Sequence, residues 1–444
     1  MPTKVNPYDL KHTADQALLP RAPISLALTV WGLAAAFYLF GFFQRVTPGV
    51  LTQDLMRDFS LNAGQLGALS AAYYYAYAAV QVPTGLLVER YGARALLILG
   101  AGFGAAGAAL FALSPDLFPA TLGRALIGAA HGVCWVSMLV LAGRWFEPKV
   151  FATMSGVSLA VGTLGAILAG PPLRLAAEMV GWRHAIGATA VFALVICVAM
   201  ILFLKNDPKD KGYRSYQAPN LATNTSLWQD FCAVWQYRNI WALFLIPGGI
   251  CGCFLTFTGL WGVPFLTQVH GITRVEAAWV SSGMLVAFSV GAIVWGLLSD
   301  RFKKRQLPFM AGSALMLLGF GWAAIAPQTT LSLLIPLLIL AGFGAGSMVL
   351  TFAWAKESVP ARLGGVAVGV MNLGVMIGPL TQQPLIGQVL DAHWQGGLIN
   401  GARVYDVAAF KLGLTVLYGW ILVSCVALIL ARETHAKPYI SLSK

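Results

Sequence analysis

Apolar residues form long runs along almost the whole chain, separated by short polar connections. Runs of about 20 residues or more recur between Ile24 and Leu430, and that is the length an α-helix needs to cross a bilayer. The strands of a membrane β-barrel are shorter and alternate between apolar and polar positions, a pattern that is not seen here. The hydropathy pattern therefore predicts an all-α polytopic membrane protein.

Twelve membrane-spanning helices can be placed, in two sets of six. The predicted spans cover residues 24–50, 64–88, 95–113, 122–142, 151–176, 183–204, 239–266, 275–298, 306–325, 331–354, 362–390 and 407–430. The polar stretch 205–238 is the one break long enough to separate two halves. We therefore expect bundles at 24–204 and 239–431, a central loop at 205–238, and terminal tails at 1–23 and 432–444.

Charge sets the expected orientation of these helices. Only 10% of the 444 residues are charged, and the net charge is +12. If both termini are cytoplasmic, 21 of the 29 lysines and arginines lie on that side, as the positive-inside rule requires. The sequence thus predicts a multi-pass protein of the inner (plasma) membrane with both ends inside. The basic excess needs no nucleic acid, and the lipid bilayer is the partner it implies.

A loop motif occurs twice. Gly85-x-x-x-Glu89-Arg90-x-x-x-Arg94 follows the second span, and the matching loop with Asp300 and Arg301 follows the eighth, 211 residues later. A Gly-x-x-x-Gly pair in span four, at 128 and 132, is likewise repeated 214 residues on, at 342 and 346. This internal duplication predicts two six-helix bundles related by pseudo-two-fold symmetry.

The duplicated loop resembles the signature of the major facilitator superfamily, and the resemblance covers essentially the whole chain. Lys303 stands where the second copy would have its second glycine, and Arg124 with Gly128 resembles a motif that the family often shows in span four. The resemblance implies two bundles that rock about a central site near the bilayer midplane, with alternating access and no chemical reaction. We expect no enzyme activity, no cofactor, no metal site and a monomer.

The loop residues also have a physical role to play. A carboxylate at the end of one helix can pair with arginines, or with the positive end of a helix in the other bundle, and so latch one conformation. The expected conformational-switch residues are Gly85, Glu89, Arg90, Arg94, Asp300 and Arg301. Each of the charged ones can instead be an ordinary topogenic charge.

Arg45 is a fixed positive charge inside the first apolar run. By the placement above, only Arg45 and His131 lie well within the hydrocarbon, and no Asp or Glu sits at mid-span. An arginine there must face a water-filled cavity, a partner charge or a ligand. A carboxylate or other anion is its natural complement. Pairing with carbonyls or with Asp54 is the structural alternative.

Two segments are similar to those of organic anion:cation symporters. Phe43-Gln44-Arg45 resembles their first-span segment, whose arginine faces the substrate, but Gln44 stands where an acid would be. Around Gly128 the fourth span also resembles theirs, with His131 in place of a glutamate. Since both acids are missing, His131 is the expected proton-coupling group. The alternative is a neutral histidine packed between glycines.

Polar residues on other spans complete the expected site. In span two, Ser70, Tyr74, Tyr77 and Gln81 share one helix face, with Tyr73 and Tyr75 as the alternative if the register differs. In the second half none of the polar candidates is charged, so we expect that half to contact the body of the cargo. The expected substrate-binding residues are Arg45, Tyr74, Tyr77, Gln81, Trp261 and Asn372.

The sequence thus favours a secondary transporter of a small organic anion, a carboxylate above all, taken up with H⁺. Two alternatives stay open: an exchanger or exporter of neutral or zwitterionic solutes such as small peptides, and a transporter-like receptor that binds without transport.

Overall fold

The computed structural model describes residues 19–216 and 227–437, and these residues are almost entirely helical. The helices of the first half are α1 Ile24–Val50, α2 Thr52–Asp58, α3 Ala63–Leu113, α4 Leu117–Gly132, α5 Cys134–Trp145, α6 Phe151–Leu168, α7 Pro171–Val180 and α8 Trp182–Phe203. Short 3₁₀ turns lie at Pro148–Val150 and Pro208–Lys211. Residues 1–18 and 438–444 of the predicted tails and residues 217–226 of the predicted central loop lie outside the described residues.

The second half repeats this arrangement. Its helices are α9 Leu227–Val234, α10 Arg238–Thr256, α11 Gly262–His270, α12 Arg274–Phe302, α13 Gln306–Ile325, α14 Leu331–Ala345, α15 Leu350–Glu357, α16 Gly364–Ala392 and α17 Val407–Leu430. A π-helical turn, Phe257–Trp261, joins α10 to α11, and 3₁₀ turns lie at Gly346–Val349 and Ala361–Leu363. Between α16 and α17 a small hairpin pairs β1 Leu398–Ile399 with β2 Ala402–Arg403.

Within the described residues, eleven helical stretches are long and apolar enough to cross a membrane. The predicted second span falls on the first part of α3, which runs on into the third span through a break at Gly92, where φ is +79°. The chain is therefore a multi-pass helical membrane protein with eleven to twelve spans, as the hydropathy pattern predicts.

The duplication extends to the backbone. Gly92 and Lys303 are 211 residues apart, and both have positive φ, at 79° and 51°. The fourth span breaks after Gly132, and the tenth breaks at Gly346, 214 residues later. The two halves thus share turns and breaks as well as a motif.

The two halves also share the way in which the start of the third span is held. The backbone N–H of Arg94 donates to the side-chain oxygen of Asn206 at 2.7 Å, just after the last helix of the first half. At the matching place, the N–H groups of Arg305 and Gln306 donate to Glu433 at 2.9 and 2.8 Å, just after the last helix of the second half. In both halves, therefore, a residue that follows the sixth span holds the start of the third span.

The bundles meet mainly at one end. We call the end that carries residues 19–23 and 431–437 the terminal face and the other end the distal face. From the distal face inward, α3 and α16 pack antiparallel: Gly387 lies against the backbone of Ala63, and Gly67 against that of Gln383. This packing continues as far as Tyr77, whose hydroxyl accepts from Asn372 Nδ2 at 3.3 Å. Closer to the terminal face, at Gly369, an added Cβ would meet no atom within 4 Å.

Two carboxylates join the bundles at the distal face. Asp391, at the end of α16, accepts from the backbone N–H groups of Ala63 and Gly64 at 3.1 and 2.7 Å, at the first residues of α3. Asp54 of α2 pairs with Arg174 at 2.6 Å and lies 3.9 Å from Arg274 of the other half. Among the described residues, no ion pair near the terminal face joins the two bundles. Each one there lies within one half or connects a linker or tail residue to one bundle.

Candidate functional site

Arg45 lies at the centre of the first bundle, in a cage of aromatic rings. Its guanidinium carbon is 4.4 Å from the centroid of Phe42, 5.5 Å from Tyr77 and 5.7 Å from Tyr73. The residue is 7% exposed and its Nε has no hydrogen-bond partner. Among the described residues it makes no ion pair, and Asp54 instead pairs with Arg174. A buried guanidinium stabilised only by ring faces retains its capacity to bind an anion.

Helix α1 places Arg45 there because it stays continuous through a glycine-rich stretch. At Gly41, one turn before Arg45, a Cβ would lie only 2.5 Å from the ring of His131. A larger residue at 41 would therefore push α1 away from α4. Gln44, next to the arginine, donates its amide to Thr189 at 2.7 Å. It leaves the guanidinium without an adjacent acid.

His131 is 4% exposed and lies among three aromatic rings. The centroids of Phe37, Phe40 and Tyr73 are 5.0, 5.3 and 6.0 Å from its own. Neither of its ring nitrogens has a partner among the described side chains. The structure thus places His131 beside the same tyrosine that covers Arg45.

Arg124 is a second buried cation, and the expectation that only Arg45 and His131 are so placed is wrong for it. It is fully buried, and its guanidinium carbon lies 5.1 Å from the centroid of Tyr73. One amino group donates to the carbonyl of Gln44 at 2.6 Å, while Nε and Nη2 have no partner. Arg45, Arg124 and His131 therefore surround one tyrosine ring, two of them with permanent charge.

The sequence prediction missed Arg124 because it started the fourth span too late. The predicted span begins at residue 122, which leaves Arg124 near the membrane surface, but α4 begins at Leu117. The side chain of Asp116 accepts from the N–H of Phe118 at 3.0 Å and caps this helix. An aspartate just before an apolar run is a helix-start signal, and it would have placed Arg124 two turns inside.

Span two contributes the tyrosines of the site. Tyr77 faces Arg45 and also contacts Asn372 of the other half. Gln81, one turn further on, is 8% exposed and its Oε1 has no partner. Tyr73, named above as the alternative, lies closest to the centre of the cluster. Tyr75 is 54% exposed and points away.

Tyr74 and Trp261 lie where the bundles meet, on the distal side of Arg45. Both are buried. The indole N–H of Trp261 donates to the backbone carbonyl of Gln383 at 3.1 Å. The hydroxyl of Tyr74 and Nε2 of Gln383 both lie near Gly259, 3.5 and 3.6 Å from the position that its Cβ would take. Trp261 is thus a packing and hydrogen-bonding residue of the distal junction in this conformation.

Among the expected switch residues, none of the described side chains joins the two bundles in this structure. Arg94 donates its side chain to the carbonyls of Leu204 and Ile201, at 2.7 and 2.9 Å, within its own half. Asp300 accepts from Arg305 at 2.7 Å, also within one half. Of the remaining ones, Arg90 and Arg301 are exposed, and Gly85 is half-buried. Arg90 lies beside Tyr91. The side chain of Glu89 lies outside the described residues.

The chain matches the family model of the Major Facilitator Superfamily over residues 26–400. It is 21% identical to a protein of Cupriavidus necator described as a sulfoacetate transporter, over 82% of this chain and 87% of that one. It is 24% identical to a Bacillus subtilis protein described as a galactarate/D-glucarate transporter (82% and 84%), and 22% identical to an Agrobacterium vitis protein described as a tartrate transporter (89% and 88%).

Solved structures show the same fold. A bacterial homologue of the human lysosomal transporter Spinster, in an inward-facing and unoccupied conformation, superimposes with a TM-score of 0.73 at 16% identity, over 92% of this chain and 97% of that one. A D-xylose-proton symporter gives a TM-score of 0.69 at 14% identity, over 93% and 99%. With the family model matching most of its length, the chain belongs to the major facilitator superfamily, whose members are transporters and not enzymes.

Proposed function

We propose that this transporter carries a small organic anion, in particular a carboxylate, across the inner membrane together with protons. The observation that carries the proposal is Arg45: a permanent charge, buried in an aromatic cage and without an acidic partner among the described residues. Relatives described as carriers of sulfoacetate, galactarate, glucarate and tartrate support an anionic cargo.

Arg124 extends the proposed site. Its two unpartnered nitrogens face the cluster around Tyr73 that also contains Arg45. Two guanidinium groups can hold two carboxylates, or one carboxylate from two sides, and their hydrogen bonds to a charged group are about twice as strong as neutral ones. Tyr77, Gln81 and Asn372 are the neutral groups that we place around the rest of the anion. In the same proposal Trp261 and Tyr74 form the distal wall of the site.

His131 is the proposed proton carrier. A proton on its ring adds a third positive charge near Tyr73, and an anion bound at Arg45 offsets the repulsion among these charges. Proton and anion therefore favour each other's binding, which is the requirement for symport. Transport by His131→Gln that keeps its full proton dependence would exclude this role.

The loop residues have a proposed role in alternating access, which is to hold the terminal face closed. With both chain ends in the cytoplasm, the distal face is the outer face, and the described arrangement is closed outward and inward-facing. In the opposite state the terminal face must close, and Gly85, Glu89, Arg90, Arg94, Asp300 and Arg301 are the residues that we propose to meet there. In this proposal, the bonds that Arg94 and Asp300 make within their own halves belong to the inward-facing state.

The test is uptake into proteoliposomes of a panel of carboxylates, phosphate esters and small peptides, with and without an imposed pH gradient. We expect carboxylate uptake that rises with an inward proton gradient, and its loss in Arg45→Ala by a factor of 100 or more, since about 1.5–3 kcal/mol is expected per charged hydrogen bond and Arg45 offers two. Arg45→Lys should keep part of the activity. Uptake of every anion unchanged in both variants would refute the proposed site, and peptide uptake alone would favour the zwitterion exchanger.

A further inference from the structure

Two polar side chains meet at the junction of the bundles with no hydrogen-bond partner other than each other. Tyr74 and Gln383 are both fully buried, their polar ends lie within reach of one another, and no other described group partners the tyrosine hydroxyl or the glutamine amide. From the Cβ position of Gly259, Tyr74 Oη lies 3.5 Å and Gln383 Nε2 3.6 Å away. One bond to the tyrosine still leaves the other end of the amide unpaired, which costs about 1–3 kcal/mol, so the pair in an apolar core points to a ligand.

Neighbouring contacts place both residues beside Arg45. The backbone carbonyl of Gln383 is held by the indole of Trp261 at 3.1 Å. The ring of Tyr74 packs edge-on against Tyr73, with centroids 5.2 Å apart. Tyr73 in turn covers Arg45, whose backbone carbonyl lies 3.6 Å from the same Gly259 Cβ position. The pair therefore lies directly beside the proposed anion-binding cation.

We propose that Tyr74 and Gln383 form a hydroxyl-binding subsite that makes the transporter select hydroxylated carboxylates over their unsubstituted analogues. This rests on the anion transport proposed above. A hydroxyl group donates one hydrogen bond and accepts others, which matches an amide with both functions and a phenol with both. A methylene at this point would leave the phenol and the amide with no partner but each other, and sites of this kind reject the analogue that lacks the hydroxyl.

The neighbouring residue shows what a structural glutamine looks like in the same helix. Gln382 is equally buried, but its Oε1 accepts from Thr256 at 2.9 Å and its Nε2 donates to the carbonyl of Gly248 at 3.1 Å. Both partners belong to its own bundle. Gln383 points the other way, toward Tyr74 of the first bundle, so a hydroxyl bound there would be held by both halves at once.

The test compares pairs of carboxylates that differ by hydroxyl groups: lactate with propionate, malate with succinate, and tartrate with succinate. Uptake into proteoliposomes is measured for each, with the wild-type protein, Tyr74→Phe and Gln383→Met. We expect the wild type to prefer the hydroxylated member of a pair by at least about tenfold in kcat/KM. Each variant should reduce that ratio severalfold, mainly by slower uptake of the hydroxylated member.

Gln382→Met is the matched control, because it loses bonds within one bundle and should lower thermal stability while leaving the ratio unchanged. Equal uptake of both members by the wild type would overturn the proposed selection, as would a ratio that survives in both Tyr74→Phe and Gln383→Met. In either case uptake of the unsubstituted acids keeps the anion site intact. If no carboxylate of any pair enters, both this subsite and the proposed function fail.

Discussion

At the scale of single residues, the site is a set of cations stabilised by rings and backbone. Arg45, Arg124 and His131 all lie against Tyr73, and the described residues supply no carboxylate to neutralise either arginine. Cation–π contacts of this kind are worth about 0.5–2 kcal/mol each. A hydrogen bond from a guanidinium to an anion contributes about 1.5–3 kcal/mol, so an anionic ligand that accepts two of them adds more than the rings provide.

Arg124 gives the first prediction at this scale. Arg124→Gln should raise the KM for a transported anion about tenfold or more, because a charged donor beside the site contributes about 1.5–3 kcal/mol. Uptake kinetics in proteoliposomes measure this. Arg144→Gln is the control, since Arg144 is a half-buried arginine of the same half that donates to the backbone carbonyl of Asn206 at 3.4 Å, near the terminal face. An unchanged KM in Arg124→Gln, with protein of normal stability, would place Arg124 among the structural residues.

Lys303 gives the second prediction at this scale. It has φ of +51° where the matching residue of the first half is Gly92, and a left-handed conformation costs a non-glycine residue about 1–2 kcal/mol. Lys303→Gly should therefore raise the free energy of unfolding by about 1 kcal/mol. Thermal unfolding in detergent measures the change. Lys304→Gly removes the same charge without positive φ to relieve, and it should not stabilise. A lower melting temperature for Lys303→Gly would show that this strain is absent.

At the scale of elements, the third span of each half is held at its start by a residue after the sixth. Glu433 does this in the second half by accepting from the backbone N–H groups of Arg305 and Gln306. Partial burial raises the pKa of Glu433, but the backbone N–H donors outweigh it and hold the pKa below its ordinary value. A carboxylate of this kind stabilises the fold above its unfolded-state pKa, near 4.3, and the effect is lost as pH falls through the folded-state value.

Glu433→Gln should accordingly lower the melting temperature at pH 7, where the wild-type carboxylate is charged. The difference between the two proteins should shrink toward zero as the pH falls below about 4, since the wild type then carries a neutral acid as well. Thermal unfolding at a series of pH values measures it. The same difference at pH 7 and at a pH well below 4 would contradict the assigned role of the charge.

At the scale of the whole molecule, two carboxylates keep the distal face shut. Asp391→Asn weakens the cap on α3 and should shift the population toward the distal-open state by about tenfold or more, given about 1.5–3 kcal/mol for hydrogen bonds to a charged group. Distances between spin labels placed on the two halves at that face report the shift. Asp116→Asn is the control, because Asp116 accepts from the N–H of Phe118 at 3.0 Å and so caps α4 within one half. An equal population in Asp391→Asn and wild type would remove Asp391 from the closure.

Much of this architecture follows from the sequence, because hydropathy and the repeated loop report on the chain itself. Arg45 can be identified from the sequence because a fixed charge is conspicuous in an apolar run. Other features depend on tertiary contacts: the breaks at Gly132 and Gly346 follow from close helix packing, and the cap by Asp391 comes from a helix of the other half. Sequence periodicity contains no information about which bundle faces which, so the approach of Gln383 to Tyr74 could not be foreseen.

The two unneutralised arginines would make the proposed cycle sensitive to voltage. The empty protein reorients with two fixed positive charges at its centre, whereas a bound dianion cancels them and a proton on His131 adds one back. A membrane potential acts on net charge with about 2.3 kcal/mol per elementary charge and 100 mV across the full field. The loaded step would then carry less charge than the empty one, and the electrical gradient would act most strongly on the return of the empty carrier.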